Sequence, residues 1–170
     1  MATILTTTYA ASVAMDASTD YDSLATSSTL TAGWASGVVD NTSNQYIDVL
    51  LAGRFKANNT APTIGQIAVY VGAILDDTNY PDVFTGTKGA KTVTSSDIRN
   101  SILKLAAVIV TDATSNRIYE FSKVGIAQLF GGVLPPKWYT WVTHSMVQAL
   151  NATASAGGQL WYTGIKYTNT

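Results

Sequence analysis

Apolar and polar residues alternate with a period of two along several stretches of this chain, and that alternation predicts half-buried β-strands. Over residues 46–56, Ile47, Val49, Leu51 and Phe55 share one face while Asp48, Arg54 and Lys56 share the other. Over residues 64–75, Ile67, Val69, Val71 and Leu75 point inward, and Gln66, Tyr70 and Ile74 point away. Asn58, Asn59, Thr60 and Pro62 between them suit a hairpin connection. Residues 104–110 and 117–124 read as two further strands. Over residues 138–147, Trp138, Thr140, Val142, His144 and Met146 fall on one side, with Tyr139, Trp141, Thr143, Ser145 and Val147 on the other. A last strand is expected over residues 159–168. Residues 76–97 bring Asp76, Asp77, Asn79, Pro81, Asp82, Gly86 and Gly89 in quick succession, which reads as a long loop of the kind that often carries function. Ser95, Ser96 and Asp97 ahead of Ile98 and Ile102 predict one capped helical turn, and residues 125–130 predict another.

Composition sharpens this picture. Only 12% of the 170 residues are charged, about half of what a soluble domain usually carries, so much of the surface is neutral or covered by other protein. The chain holds 24 Thr, 14 Ser and 22 Ala, and Glu120 is its single glutamate. Helices favour Glu and Lys, whereas Thr, Val, Ile and Tyr favour a pleated surface. The expected fold is all-β: an antiparallel β-sandwich, jelly-roll-like, with little helix. Residues 1–32, rich in Thr, Ser and Ala with acids at Asp16, Asp20 and Asp22, read as an extended N-terminal arm, and residues 33–170 as a single sandwich domain. Such an arm either adds a strand to a neighbouring subunit or folds back as an edge strand of its own sheet.

Little in the chain points to chemistry. With no Cys there is no thiolate nucleophile and no Cys-based metal site. Ten basic residues are scattered and balanced by eleven acids, so no nucleic-acid footprint is expected. The apolar runs fall far short of the ~20 residues of a membrane span, and the first sixteen residues contain no Lys or Arg, a poor signal peptide. His144 is the only histidine, and the neighbouring Ser145 points to the opposite strand face, so the pair makes a poor nucleophile and base. Asp76 and Asp77, like Asp20 and Asp22, lack the spacing of a calcium loop. Gly131 and Gly132 lack the Lys and Ser or Thr of a phosphate loop, and Gly157 with Gly158 reads as a hairpin turn. No catalytic, cofactor-binding or metal-ligating residue is therefore expected. Residues 138–165 hold no Asp, Glu, Lys or Arg but do hold Trp138, Tyr139, Trp141, Trp161 and Tyr162. Aromatic enrichment with charge depletion marks either an interface core or the packed centre of a sandwich, which makes these five the candidate interface residues.

Two segments carry a family resemblance. Val39-Asp40-Asn41-Thr42-Ser43-Asn44-Gln45-Tyr46-Ile47-Asp48 resembles a stretch that leads into a strand in a family of small tailed-bacteriophage virion proteins. Phe130-Gly131-Gly132-Val133-Leu134-Pro135-Pro136-Lys137-Trp138, with the closing Gln159-Leu160-Trp161-Tyr162-Thr163-Gly164, is similar to the C-terminal half of the same family. The resemblance runs in order over about residues 24–167. It implies a non-enzymatic capsid decoration or cement protein on the outer surface of the virion, made in the host bacterial cytoplasm. Its partners would be the major capsid protein, across neighbouring subunits, and copies of itself, as a homo-oligomer and most simply a homotrimer. The alternative of another class is a carbohydrate-binding adhesin module of a tail or fibre, using exposed Trp138, Tyr139, Trp141 or Trp161 as sugar platforms.

Overall fold

The β-branched and aromatic stretches form the strands in a computed structural model of the chain, which describes residues 5–15, 20–151 and 160–169. These strands are β1 (Leu5–Ala14), β2 (Ala32–Ala35), β3 (Val39–Asp40), β4 (Asp48–Lys56), β5 (Gly65–Ala73), β6 (Gly89–Thr92), β7 (Leu103–Thr111), β8 (Ile118–Gly125), β9 (Lys137–His144) and β10 (Leu160–Asn169). One short helix, α1 (Ser96–Ile102), and one 3-10 turn (Ala127–Phe130) complete the elements. Strand accounts for 48% of the structure and helix for 7%, as the alternating sequence requires.

Two antiparallel sheets result, with strand orders β1-β10-β4-β8 and β6-β2-β9-β5-β7; β3 also pairs with β9. With the short β3 and β6 set aside, the remaining strands counted along the chain run 1-8-3-6 in one sheet and 2-7-4-5 in the other. That is the jelly-roll arrangement of interlocked Greek keys. It corrects the hairpin expected at residues 58–62: β4 lies in the first sheet and β5 in the second, so this turn carries the chain across the sandwich. Ile47 and Leu75 fall just outside the strands whose inward faces they were expected to extend, and both are exposed.

The inner faces of the sheets meet in a core containing Val49, Leu51, Phe55, Ile67, Val69, Trp138, Val142 and Leu160. A second apolar cluster lies on the outer face of the second sheet, where Tyr70, Tyr139 and Trp141 are roofed by Phe84, Val93 and Leu103. The stretch expected to be an open loop over residues 76–97 thus includes β6 and the start of α1, and it covers a sheet face. Ser95 caps α1 by accepting a hydrogen bond from the Ile98 amide at 3.1 Å. From α1, the buried Arg99 guanidinium donates to the Thr29 and Leu30 carbonyls and lies 5.4 Å from the Tyr70 ring centroid.

The expected N-terminal arm is largely part of the sandwich. β1 is an edge strand of the first sheet, registered on β10 from Leu5 opposite Asn169 to Ala14 opposite Trp161. Further along, Tyr21 packs edge-on against Phe55 in the core, and the amide of Ser27 donates to the His144 carbonyl. A sequence boundary at residue 32 is therefore not a boundary of the fold. Met1 to Ile4 and Asp16 to Thr19 lie outside the described residues, as do Gly157, Gly158 and Gln159.

Candidate functional site

Burial removes four of the five candidate interface residues. Trp138 and Trp141 are fully buried, Tyr139 and Tyr162 nearly so, and only Trp161 is partly accessible. The physical reason is that β9 is covered on both sides. Trp138 faces the inter-sheet core, where it meets Tyr162 edge-on at 5.4 Å. Tyr139 and Trp141 face outward but are covered by the 76–102 excursion, with Phe84 tilted against Tyr139 at 4.7 Å and Tyr70 at 5.6 Å from Trp141. Burial also pushes the Tyr139 phenol well above the usual tyrosine range.

The acidic side chains and the histidine do not cluster among the described residues. Among the described residues no cluster of three or more His, Asp or Glu side chains could hold a metal ion. His144 is buried, its Nε2 lies 2.7 Å from the Leu24 carbonyl, and Ser145 Oγ instead accepts from the Gln66 amide. Both bonds tie β9 and its neighbour to the backbone of other segments, and among the described residues no serine hydroxyl is bonded to the imidazole. Asp76 organises its own turn: Asn79 Nδ2 and the amides of Thr78 and Asn79 donate to its carboxylate and hold its pKa down to about 2. Asp48 Oδ1 plays a similar part, accepting from the amides of Ile126 and Ala127 at the start of the 3-10 turn.

The two segments that carry the family resemblance meet in space. Val39 stands opposite Trp138 and Asp40 opposite Lys137, and the Asn41 amide donates to the Pro136 carbonyl at 2.7 Å. The Asn41 side chain then bridges the backbone of Tyr46, donating to its carbonyl and accepting from its amide, both at 2.9 Å. Tyr46 lies over Gly164, where an added Cβ would come within 2.3 Å of the ring. The motifs thus build one corner of the sandwich, with Asn41 as its clasp. Asn41→Ala is expected to lower the unfolding free energy by about 2 kcal/mol, since Asn41 is buried and the substitution strips two backbone groups of partners. Urea denaturation reads this directly, and a cost below about 0.5 kcal/mol would show that water replaces the clasp.

One accessible apolar surface lies on the first sheet. β10 pairs with β4 only from Leu160 to Ile165, yet it pairs with β1 out to Asn169. Residues 5–8 and 166–169 therefore run past Asp48, the first residue of β4, as a two-stranded ribbon. Tyr9 stands opposite Ile165 and Thr7 opposite Tyr167, so their side chains share the face that points away from the core. Leu5, Tyr9 and Tyr167 are 61%, 66% and 56% exposed. In sequence the only signal was Leu5 and Tyr9 separated by four positions, too thin to distinguish a ribbon from an irregular arm. Comparison with protein-family models, with curated proteins and with solved structures finds no match for the chain.

Proposed function

We propose that this chain is a non-enzymatic decoration (cement) protein of a phage capsid, binding across neighbouring major capsid subunits on the outer surface of the head. The observation that carries the reading is the projecting β1–β10 ribbon. Two strands alone are marginal in water, and this pair offers a free edge on β1 and exposed Leu5, Tyr9 and Tyr167 on one face. A neighbouring subunit that adds a strand to that edge and covers those side chains gains main-chain hydrogen bonds and apolar burial together. A chain in which only 12% of residues are charged fits a protein that works by contact. Contacts of modest strength repeated at every lattice position add up to a stabilised shell. Association of the decoration subunits with one another, most simply as a homotrimer, belongs to the same proposal.

Quantitative mass spectrometry of purified virions tests it. A copy number of the same order as the major capsid protein is expected, whereas a handful of copies per particle would overturn the reading. Tyr9→Ser with Tyr167→Ser is expected to leave the melting temperature within about 3 °C while reducing occupancy on capsids at least about tenfold. Unchanged occupancy would move the contact away from the ribbon.

A further inference from the structure

We propose that the hollow beside Trp161, on the outer face of the first sheet, is a binding site for an acidic saccharide. The inference goes beyond the capsid reading and does not depend on it.

The hollow is made by a defect in strand pairing. Between Leu51 opposite Val124 and Gly53 opposite Phe121, β4 uses one residue, Ala52, where β8 uses two, Ser122 and Lys123. The extra residue is a β-bulge, a device that bends the sheet and re-aims side chains. Ala52 also stands directly opposite Trp161 on β10, and the next cross-strand pair sets Arg54 opposite Glu120. A small alanine between a tryptophan and a bulge leaves an open hollow of about 500 Å³, lined by these residues. That volume is in the range of small-ligand sites.

The lining selects the ligand. Three of the eight lining residues, Arg54, Glu120 and Lys123, are ionisable in a chain where only 21 of 170 are charged. None of these three side chains makes an ion pair or hydrogen bond among the described residues, and Arg54 Nε is sealed from water without an acceptor. The two terminal guanidinium nitrogens of Arg54 are not sealed in this way, and they offer a ligand carboxylate the two-pronged contact for which Arg is suited. Trp161 supplies a flat apolar surface for the C–H face of a pyranose ring. Glu120 accepts from sugar hydroxyls and, at the same time, repels a polyanion such as a nucleic-acid backbone. One aromatic platform, two cations and one carboxylate together fit a hydroxyl-rich ligand with a single negative charge per ring.

Isothermal titration calorimetry of the whole chain tests this with trigalacturonate, a hyaluronan tetrasaccharide and sialyllactose as probes, and with maltotriose and inorganic phosphate as controls. At least one acidic probe is expected to bind with a Kd of about 1 mM or tighter, with maltotriose and phosphate at least about tenfold weaker. Arg54→Gln is expected to weaken that binding at least about tenfold, and Trp161→Ala to abolish it. Tyr9→Ser, away from the hollow, is expected to leave it unchanged. If Trp161→Ala fails to fold, Arg54→Gln and Lys123→Gln carry the test. Silence from all three acidic probes overturns the proposal. So does equal binding of maltotriose or of phosphate, or binding that survives the substitutions in the hollow.

Discussion

Trp141→Ala is expected to lower the unfolding free energy by about 4 kcal/mol, while Tyr9→Ala, on the exposed ribbon, costs about 1 kcal/mol or less. The contrast follows from what each ring touches. Trp141 is fully buried in the cluster with Tyr70, Phe84 and Val93, on a sheet face that the 76–102 excursion roofs over. Removing the indole leaves a cavity that the backbone of β9, bonded to β2 and β5 on its two sides, has little room to close. Urea denaturation of both variants measures the difference. Equal costs would mean that the excursion over the second sheet is not seated as described. The result bears on function too, because it separates the aromatic residues that hold the sandwich together from those available for contact.

A second large effect is expected with pH. His144 is buried, its Nε2 paired with the Leu24 carbonyl and its Nδ1 without a partner, and burial lowers its pKa below the usual 6.5. A proton on Nδ1 would place an unpaired charge between β9 and the segment that closes the end of the sandwich. With the folded-state pKa depressed, the unfolded chain binds the proton first. Stability is therefore fully present above pH 6.5 and falls as the pH drops below it, at up to about 1.4 kcal/mol per pH unit. The carboxylates Asp40, Asp76 and Asp112, held low mainly by hydrogen bonds from Thr42, Asn79 and Tyr119, withdraw their contribution only below about pH 3.8. Thermal melts between pH 7 and pH 5 thus isolate the histidine. His144→Gln is expected to flatten the profile over that range, and an unchanged slope in the variant would place its origin elsewhere.

The period-two pattern located most long strands because one face of each meets the core. β4, with Val49, Leu51 and Phe55 inward, is the plainest case. β9 was legible as a strand but ambiguous in orientation, since both of its faces are apolar and both are buried, a pattern characteristic of central strands. Whether Tyr139 and Trp141 met a partner or the chain's own excursion turned on Phe84 and Val93, which lie among turn residues and show no periodicity of their own. β1 is hard to read for the opposite reason: its small, polar side chains bury little, and its place is set by main-chain bonds to a strand at the other end of the sequence. The resemblance-bearing segments were visible as motifs, but only their meeting at Asn41 and Pro136 assigns them a structural task. The Trp161 hollow was not legible at all, because it comes from a one-residue mismatch between β4 and β8 that neither strand shows alone.

The pairing of β1 with β10 also sets a timetable for synthesis. The Thr6 hydroxyl lies within hydrogen-bond reach of Thr168, 162 positions later, so the first strand has no place to dock until nearly the whole chain has been made. At ribosomal speeds of about 5–20 residues per second, that wait is roughly 8–30 s. β10 also separates β1 from β4, so until it arrives β1 has no neighbour in the first sheet and β4 has only β8. The second sheet, from β2 to β9, needs nothing later than His144 and can close while the first is still open. The complete first sheet then appears only on completion of the last strand, and a nascent chain stalled before residue 160 exposes the unpaired edges of β1 and β4 to its neighbours on the polysome.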